Sequence, residues 1–246
     1  MSRARTPPRI ASAGWAIPAA HRAHFGAGDS VLTRYASVLD AVEVNSSFYR
    51  PHQRKTYAHW AASVPARFRF SVKLPRAITH EARLRRCGPL LDEFLEQCGG
   101  LGRKLGVLLL QLPPSLALDA RSAAPFLARL RDGWNGDVAC EPRHASWFTP
   151  RAEALLVRHR IARVAADPAA HAGGDLPGGD PALAYWRWHG APRMYYSDYG
   201  EAELQSRAAL LRADASRHRR TWVVFDNTAH GHAVANAARL QVLLRD

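Results

Sequence analysis

The chain has 246 residues, 47% hydrophobic and 22% charged, a composition that suits a folded globular protein and excludes a disordered one. Its longest apolar run, Leu105 to Leu112, is too short to span a bilayer, so no membrane partner is expected. The net charge of +13 invites a nucleic-acid partner. However, arginine and alanine are abundant while lysine occurs only at Lys55, Lys73 and Lys104, a bias that a GC-rich genome produces without any partner.

Residues 1–9 are basic, contain proline and lead into no apolar segment, so they read as a flexible lead rather than a secretory signal. Eight β-rich runs then alternate with amphipathic stretches. The runs are Ile10 to Ala13, Ala41 to Asn45, Arg69 to Lys73, Gly106 to Gln111, Asp137 to Glu141, Arg163 to Asp167, Ala184 to His189 and Trp222 to Asn227. Helices are predicted over Ser30 to Leu39, Pro89 to Cys98, Ala124 to Arg131, Arg151 to Arg160, Glu201 to Ser216 and Ala233 to Leu244. Thr149 before Pro150 reads as an N-cap with proline at the first helical position. Gly173, Gly174, Pro177, Gly178, Gly179 and Pro181 crowd the sixth connection, where a helix must be short or missing. The alternation predicts one α/β domain over residues 1–246, a single (β/α)8 TIM-type barrel. A doubly wound open sheet serves the same alternation, but eight runs and no glycine-rich phosphate loop after the first favour the barrel. Cys87, Cys98 and Cys140 are odd in number and lack metal-ligand spacing, which suits buried free thiols in a reducing, cytoplasmic compartment.

Residues two apart share a face of a strand, and parallel strands gather their C-terminal ends on one rim. Glu43, Asn45, Lys73, Gln111, Glu141, Asp167, Arg187, His189 and Asn227 would therefore converge there. Each of them alone is equally well explained as a cap to its strand. Together they are harder to dismiss, because charges near a buried rim are costly unless paired or used. Lys73 is the most informative: where arginine so outnumbers lysine, an inward lysine points to work a guanidinium cannot do, as acid, base or Schiff-base nucleophile. A salt bridge to Glu43 or Glu141 is the bland reading. Arg143 and Arg187 are the shape of an anion clamp, Glu43 and Glu141 could divide acid and base roles, and His189 titrates near neutral pH. Tyr49 and Trp147 are candidates to stack on a substrate ring. His80 and His144 are looser rim candidates.

The segments also resemble, almost end to end, the domain-of-unknown-function family 72 (YecE-like). The resemblance rests on Gly14-Trp15, the block Val42 to Arg50, Phe70-Ser71-Val72-Lys73 with Ile78-Thr79-His80, and Leu110 to Ser115. Glu141-Pro142-Arg143 with Ser146-Trp147, Arg187-Trp188-His189-Gly190 and Phe225-Asp226-Asn227-Thr228 complete it. The resemblance implies a TIM-type barrel and no established activity. Ala13 and Asp226 depart from the family's usual serine and asparagine, which leaves the amide role of the last strand on Asn227.

The leading expectation is an enzyme of hydrolase, lyase or isomerase type acting on a small anionic, sugar-like substrate. Lys73 and Glu141 would move protons, Arg143 and Arg187 would hold the anion, and Asn45, Gln111 and Asn227 would orient the substrate. No cofactor is expected. A divalent metal on Glu43, Glu141, Asp167 and His189 is disfavoured by the cations beside it. Nucleic-acid binding is the alternative, with Arg83, Arg85 and Arg86 near the site. Arg158, Arg160, Arg163, Arg217, Arg219 and Arg220 precede strands and belong on the opposite rim. A non-catalytic metabolite sensor is a third reading. The oligomeric state is not legible.

Overall fold

A computed structural model describes residues 7–214 and 220–245. Residues 1–6 of the expected lead, the last two residues of the helix expected to reach Ser216, and Arg217 and Arg219 lie outside these. The strands are β1 (Arg9–Ser12), β2 (Ala41–Val44), β3 (Arg69–Lys73), β4 (Leu105–Gln111), β5 (Asp137–Glu141), β6 (Ala162–Arg163), β7 (Ala165–Asp167), β8 (Gly178–Gly179), β9 (Leu183–Trp188) and β10 (Arg220–Phe225). They are rich in Val, Leu, Ala and Trp at successive positions, as strands covered on both faces require.

The fold is α/β with parallel sheets. One sheet runs β2-β3-β4-β5-β6-β8 and the other β1-β10-β9-β7. Every pairing is parallel except that of β6 with β8. Two seams join the sheets. At the first, Ala13 bridges Glu43 and the Gly14 N–H donates to the Glu43 carbonyl at 2.8 Å. At the second, β6 pairs with β5 while β7, one residue later, pairs with β9. The residue between them, Val164, donates its N–H to the Cys140 carbonyl at 2.8 Å.

The helices are α1 (Val31–Tyr35), α2 (Ser46–Tyr49), α3 (Arg54–Ala62), α4 (Gly88–Cys98), α5 (Ala120–Gly133), α6 (Pro150–Arg158), α7 (Glu201–Asp214) and α8 (His232–Leu243). Thr149 caps α6 as expected, its Oγ1 accepting the Ala152 N–H ahead of Pro150, and Ser30 Oγ caps α1 by accepting the Thr33 N–H. The sequence reading missed α2 and α3. The first is one turn, and the second buries only Tyr57, too little apolar face to give a helical period. No helix lies between β7 and β9, where the glycines and prolines crowd. Among the described residues no helix is long and apolar enough to cross a membrane.

Two hydrophobic clusters result. The larger lies between strands and helices and takes in Val42, Phe70, Leu108, Cys140, Trp186 and Phe225. The smaller uses the opposite strand face, with Ala41, Val107, Leu109, Tyr185, Trp222 and Val224. It leaves no room to spare: a Cβ on Gly106 would stand 2.7 Å from the Trp222 ring. Cys87, Cys98 and Cys140 are buried and unlinked.

Candidate active site

Continuing each strand by two residues beyond the smaller cluster gives the site. Ala41 leads to Glu43, Leu109 to Gln111, Ala139 to Glu141, Tyr185 to Arg187 and His189, and Val224 to Asp226. Ser71 and Lys73 take the same face of β3. Because the strands are parallel, these side chains meet at one end.

Arg187 is at the centre, with no exposed surface. Its Nε donates to Glu43 Oε2 at 3.0 Å and its Nη2 to Glu43 Oε1 at 2.7 Å. Nη2 also reaches Asp226 Oδ2 at 2.9 Å, and Nη1 donates to Glu141 Oε2 at 2.6 Å. Glu43 receives a further contact from the Tyr185 hydroxyl at 2.9 Å, which lies 2.7 Å from Ser71 Oγ. Glu141 accepts from Gln111 Nε2 at 3.1 Å, and on Oε1 from Arg143 Nη2 at 3.1 Å. His189 bridges two carboxylates, with Nε2 3.1 Å from Glu141 Oε1 and Nδ1 3.0 Å from Asp226 Oδ2.

The electrostatics follow from this pairing. Burial alone would push the Glu141 carboxyl up, but Arg187, His189 and Arg143 outweigh it and hold the group well below the usual carboxylate range. Asp226 is likewise lowered, against burial, by Arg187 and His189. Burial opposes protonation of His189, yet Glu141 and Asp226 raise its pKa, which favours the imidazolium, the form in which both N–H groups can donate to the two carboxylates.

Lys73 differs from every other cation in this cluster. It is 8% exposed, and its Nζ sits 4.2 Å from the centre of the Phe48 ring. Neither Glu43 nor Glu141 forms the expected salt bridge with it; both carboxylates are turned to Arg187. Desolvation, helped by repulsion from Arg187, outweighs the attraction of Glu141, Glu43 and Asp226 and pushes the ammonium down to about 8. Beyond Phe48 lies His80, whose ring meets that of Phe48 edge-on at 4.9 Å. Its Nδ1 is 2.8 Å from Thr79 Oγ1. Burial, Lys73, Arg76 and Arg143 all lower its pKa. Asn45 follows β2 on the face of Glu43, and its Oδ1 is buried with no hydrogen-bond partner among the described residues.

Four expected roles change, those of Arg187, Asp167, Asn227 and Trp147. Arg187 cannot clamp an external anion, because all three of its nitrogens are spent on Glu43, Glu141 and Asp226 and none is exposed. Asp167 shares the strand face of Ala165, towards the helices, and is held by Arg207 at 2.6 Å and by the Tyr199 hydroxyl at 2.7 Å. Asn227 shares the face of Val223 and Phe225; its Nδ2 donates to Ser197 O at 3.0 Å and Asn236 Oδ1 at 2.8 Å. Trp147 is a core residue, 1% exposed, donating to Leu116 O at 3.0 Å. Tyr49 is 74% exposed and touches only the Phe48 edge among ring contacts. Without Asp167, and with both His189 nitrogens engaged, the four residues of the disfavoured metal arrangement do not converge. Among the described residues no group of three His, Cys, Asp or Glu is arranged to hold an ion. Asp226 was passed over in favour of its neighbour, although Trp222, Val224 and Asp226 alternate with Val223 and Phe225 and place the acid, not the amide, at the site.

A cavity of about 300 Å³ opens beside the cluster, lined among others by Glu141, Arg143, Phe148, His171, His189 and Met194. Arg143 Nη2 also donates to the Tyr195 hydroxyl at 3.2 Å, while its Nη1 has no partner among the described residues. The rim arginines lie apart. Arg83 donates to Ser115 O at 2.8 Å, and Arg85 pairs with Asp119 at 3.1 Å. Arg85, Arg86, Arg121 and Arg129 line an open groove of about 510 Å³. Arg220 pairs with Asp137.

Similar proteins have the same fold. A DUF72 family protein from Enterococcus faecalis V583 superposes with a TM-score of 0.81 at 22% identity, covering 98% of this chain and 96% of that one. Another, from Thermotoga maritima MSB8, gives 0.79 at 22%, covering 98% and 100%. The UPF0759 protein YecE of Escherichia coli K12 is 33% identical over 122 residues, 49% of this chain. The aligned part spans 44% of YecE, less than half of that relative's length. The model of the protein family of unknown function DUF72 matches residues 9–246, nearly the whole sequence. The chain belongs to the DUF72 family.

Proposed function

We propose that this protein is an enzyme that transfers protons on a small anionic substrate, with Lys73 as the acid/base group. In this reading the two seams close the parallel strands into one eight-stranded barrel, with β6 and β7 as a single strand shared between neighbours. The substrate enters at the C-terminal ends of the strands, where barrels of this kind carry their chemistry.

The observation that carries the reading is the contrast between Lys73 and its neighbours. Glu43, Glu141, Asp226, Arg187 and His189 saturate one another. They form a rigid charged frame and have little freedom to exchange protons. Lys73 alone among the cations of the cluster has no carboxylate partner, and its pKa of about 8 lets it give or take a proton near neutrality. Four cations (Lys73, Arg143, Arg187, His189) face three carboxylates, which leaves the site one positive charge for an anion. The free Nη1 of Arg143 is the group that would hold it, and the unpartnered Asn45 Oδ1 would accept a substrate hydroxyl.

The test is a panel of phosphosugars, sugar acids and oxo acids, screened by thermal shift and then by NMR in D2O. A ligand that stabilises the wild type, loses affinity in Arg143→Gln and exchanges a carbon-bound proton only when Lys73 is present supports the assignment. Undiminished exchange or turnover in Lys73→Arg rejects it, because a guanidinium cannot deprotonate near neutral pH.

A further inference from the structure

We propose that Lys73 is a covalent nucleophile, forming an iminium with the carbonyl carbon of a small oxo acid whose carboxylate rests on Arg143. This deepens the reading above and rests on it, since both place the reacting lysine at the same rim.

Geometry separates Lys73 from an ordinary buried acid/base lysine. A lysine that only shuttles protons gains from a fixed carboxylate or hydroxyl partner to relay them. The Nζ here has none among the described residues, and the nearest recorded group is the face of an apolar ring, Phe48, at 4.2 Å. A ring face can hold the ammonium in place but cannot bond the lone pair once the proton has left. The free amine is therefore unencumbered, as a nucleophile requires. An iminium carries the same positive charge as the ammonium it replaces, so the frame that tolerates one tolerates the other.

His80 supplies the second need. Thr79 Oγ1 lies 3.3 Å from the Pro75 carbonyl and 2.8 Å from His80 Nδ1; in the tautomer that lets the hydroxyl donate to the carbonyl, Nδ1 carries the proton and the Nε2 lone pair is free. Burial, and after it the cations Lys73, Arg76 and Arg143, lower the pKa of this imidazole and so favour its neutral form. It stands across Phe48 from the lysine, in the right state to carry protons during the condensation.

The step balances without any redox partner. The Nζ lone pair forms a bond to the carbonyl carbon as the C=O π pair moves to oxygen, which takes from water the proton that the ammonium released to solvent beforehand. The nitrogen gives up a proton to water, which relays it around Phe48 to His80 Nε2. Return of that proton to the hydroxyl expels water, and the nitrogen lone pair forms the C=N bond. The cation so formed draws electrons from the adjacent carbon, which favours loss of a proton or a carboxyl group there.

The sequence makes the test unusually clean, because only Lys55 and Lys104 compete with Lys73. Lys104 Nζ donates to the Ala61 and Val64 carbonyls at 2.6 Å each. The full chain is incubated with glyoxylate at pH 8 and reduced with sodium borohydride. Hydride adds to the iminium carbon and leaves a stable carboxymethyl amine, which peptide mass mapping locates and separates from the mark on the amino terminus. We expect Lys73 to be labelled faster than Lys55 by on the order of tenfold or more, given its larger free-amine fraction. Labelling should rise to half its maximum near pH 8, be slowed by competing pyruvate, fall in Arg143→Gln and vanish from this peptide in Lys73→Arg. Labelling of Lys73 no faster than of Lys55 overturns the proposal. If proton exchange still depends on Lys73 in that case, the acid/base reading survives without the covalent step; if neither is seen, both fall.

Discussion

Replacing Lys73 by methionine should make the protein more stable at neutral pH. Methionine keeps the length and the contact with Phe48 while removing a charge from a site only 8% exposed. The ammonium falls from an ordinary 10.5 to about 8 in the folded protein. That gap corresponds to about 3 kcal/mol held against folding at pH 7. Loss of the cation–π contact returns about 1 kcal/mol, so the net gain is about 2 kcal/mol. For a chain of this size that is a rise in Tm of roughly 4–8 °C. The pH dependence is the sharper signature. A lysine whose folded pKa is lowered carries its full cost below that value and sheds it as pH climbs towards the unfolded value. The advantage of Lys73→Met should therefore shrink by about 2 kcal/mol or more between pH 7 and pH 10. Urea denaturation of both proteins at the two pH values measures this directly. A variant less stable than the wild type at pH 7, or an advantage that does not change with pH, would mean that Lys73 is a satisfied structural residue.

Arg187→Met should have the opposite effect, costing about 3–5 kcal/mol in the same assay, because it strands three buried carboxylates. The loss should ease in acid, where protonation neutralises them. In the wild type, Glu141 and Asp226 are lowered, so their contribution is full above the ordinary carboxylate range and disappears only as pH falls through their lower folded values. A loss under about 1 kcal/mol would deny Arg187 its central place. Trp147→Ala should cost about 3–5 kcal/mol by opening a core cavity, whereas Tyr49→Ala should stay within about 0.5 kcal/mol. Comparable thermal shifts for the two would contradict their placement.

Much of the fold was legible because the strands are short apolar runs closed by polar residues. β3 and β5 begin and end where the sequence places them, and the glycines after β7 announce the missing helix. α3 was not legible because it rests on the protein through little more than Tyr57. The convergence of Glu43, Lys73, Gln111, Glu141, Arg187 and His189 followed from alternation alone. Alternation does not reveal which groups satisfy one another, so Arg187 read as a clamp for substrate when it is the core of an internal network. Nor does it say which face of a strand turns inward when both are apolar, as with Trp222 and Val224 against Val223 and Phe225, which is why Asn227 displaced Asp226. Asp167 went astray for a related reason: the run Arg163 to Asp167 changes partner at Val164, and its last residue turns its carboxylate to Arg207.

Arg187 also has a consequence for how the molecule comes together. The guanidinium, carried on β9, is bound by carboxylates from β2, β5 and the residue after β10, partners 144, 46 and 39 residues away in the chain. β9 and β10 belong to one sheet, β2 and β5 to the other. No fragment containing a single sheet can hold this set of charges in balance. The site is thus present only when both sheets have formed and met. Opening at either seam would admit water to the cluster and dismantle its geometry before the outer helices are disturbed. Amide exchange in Glu43 and Val164, at the two seams, should accordingly report the lifetime of the competent state.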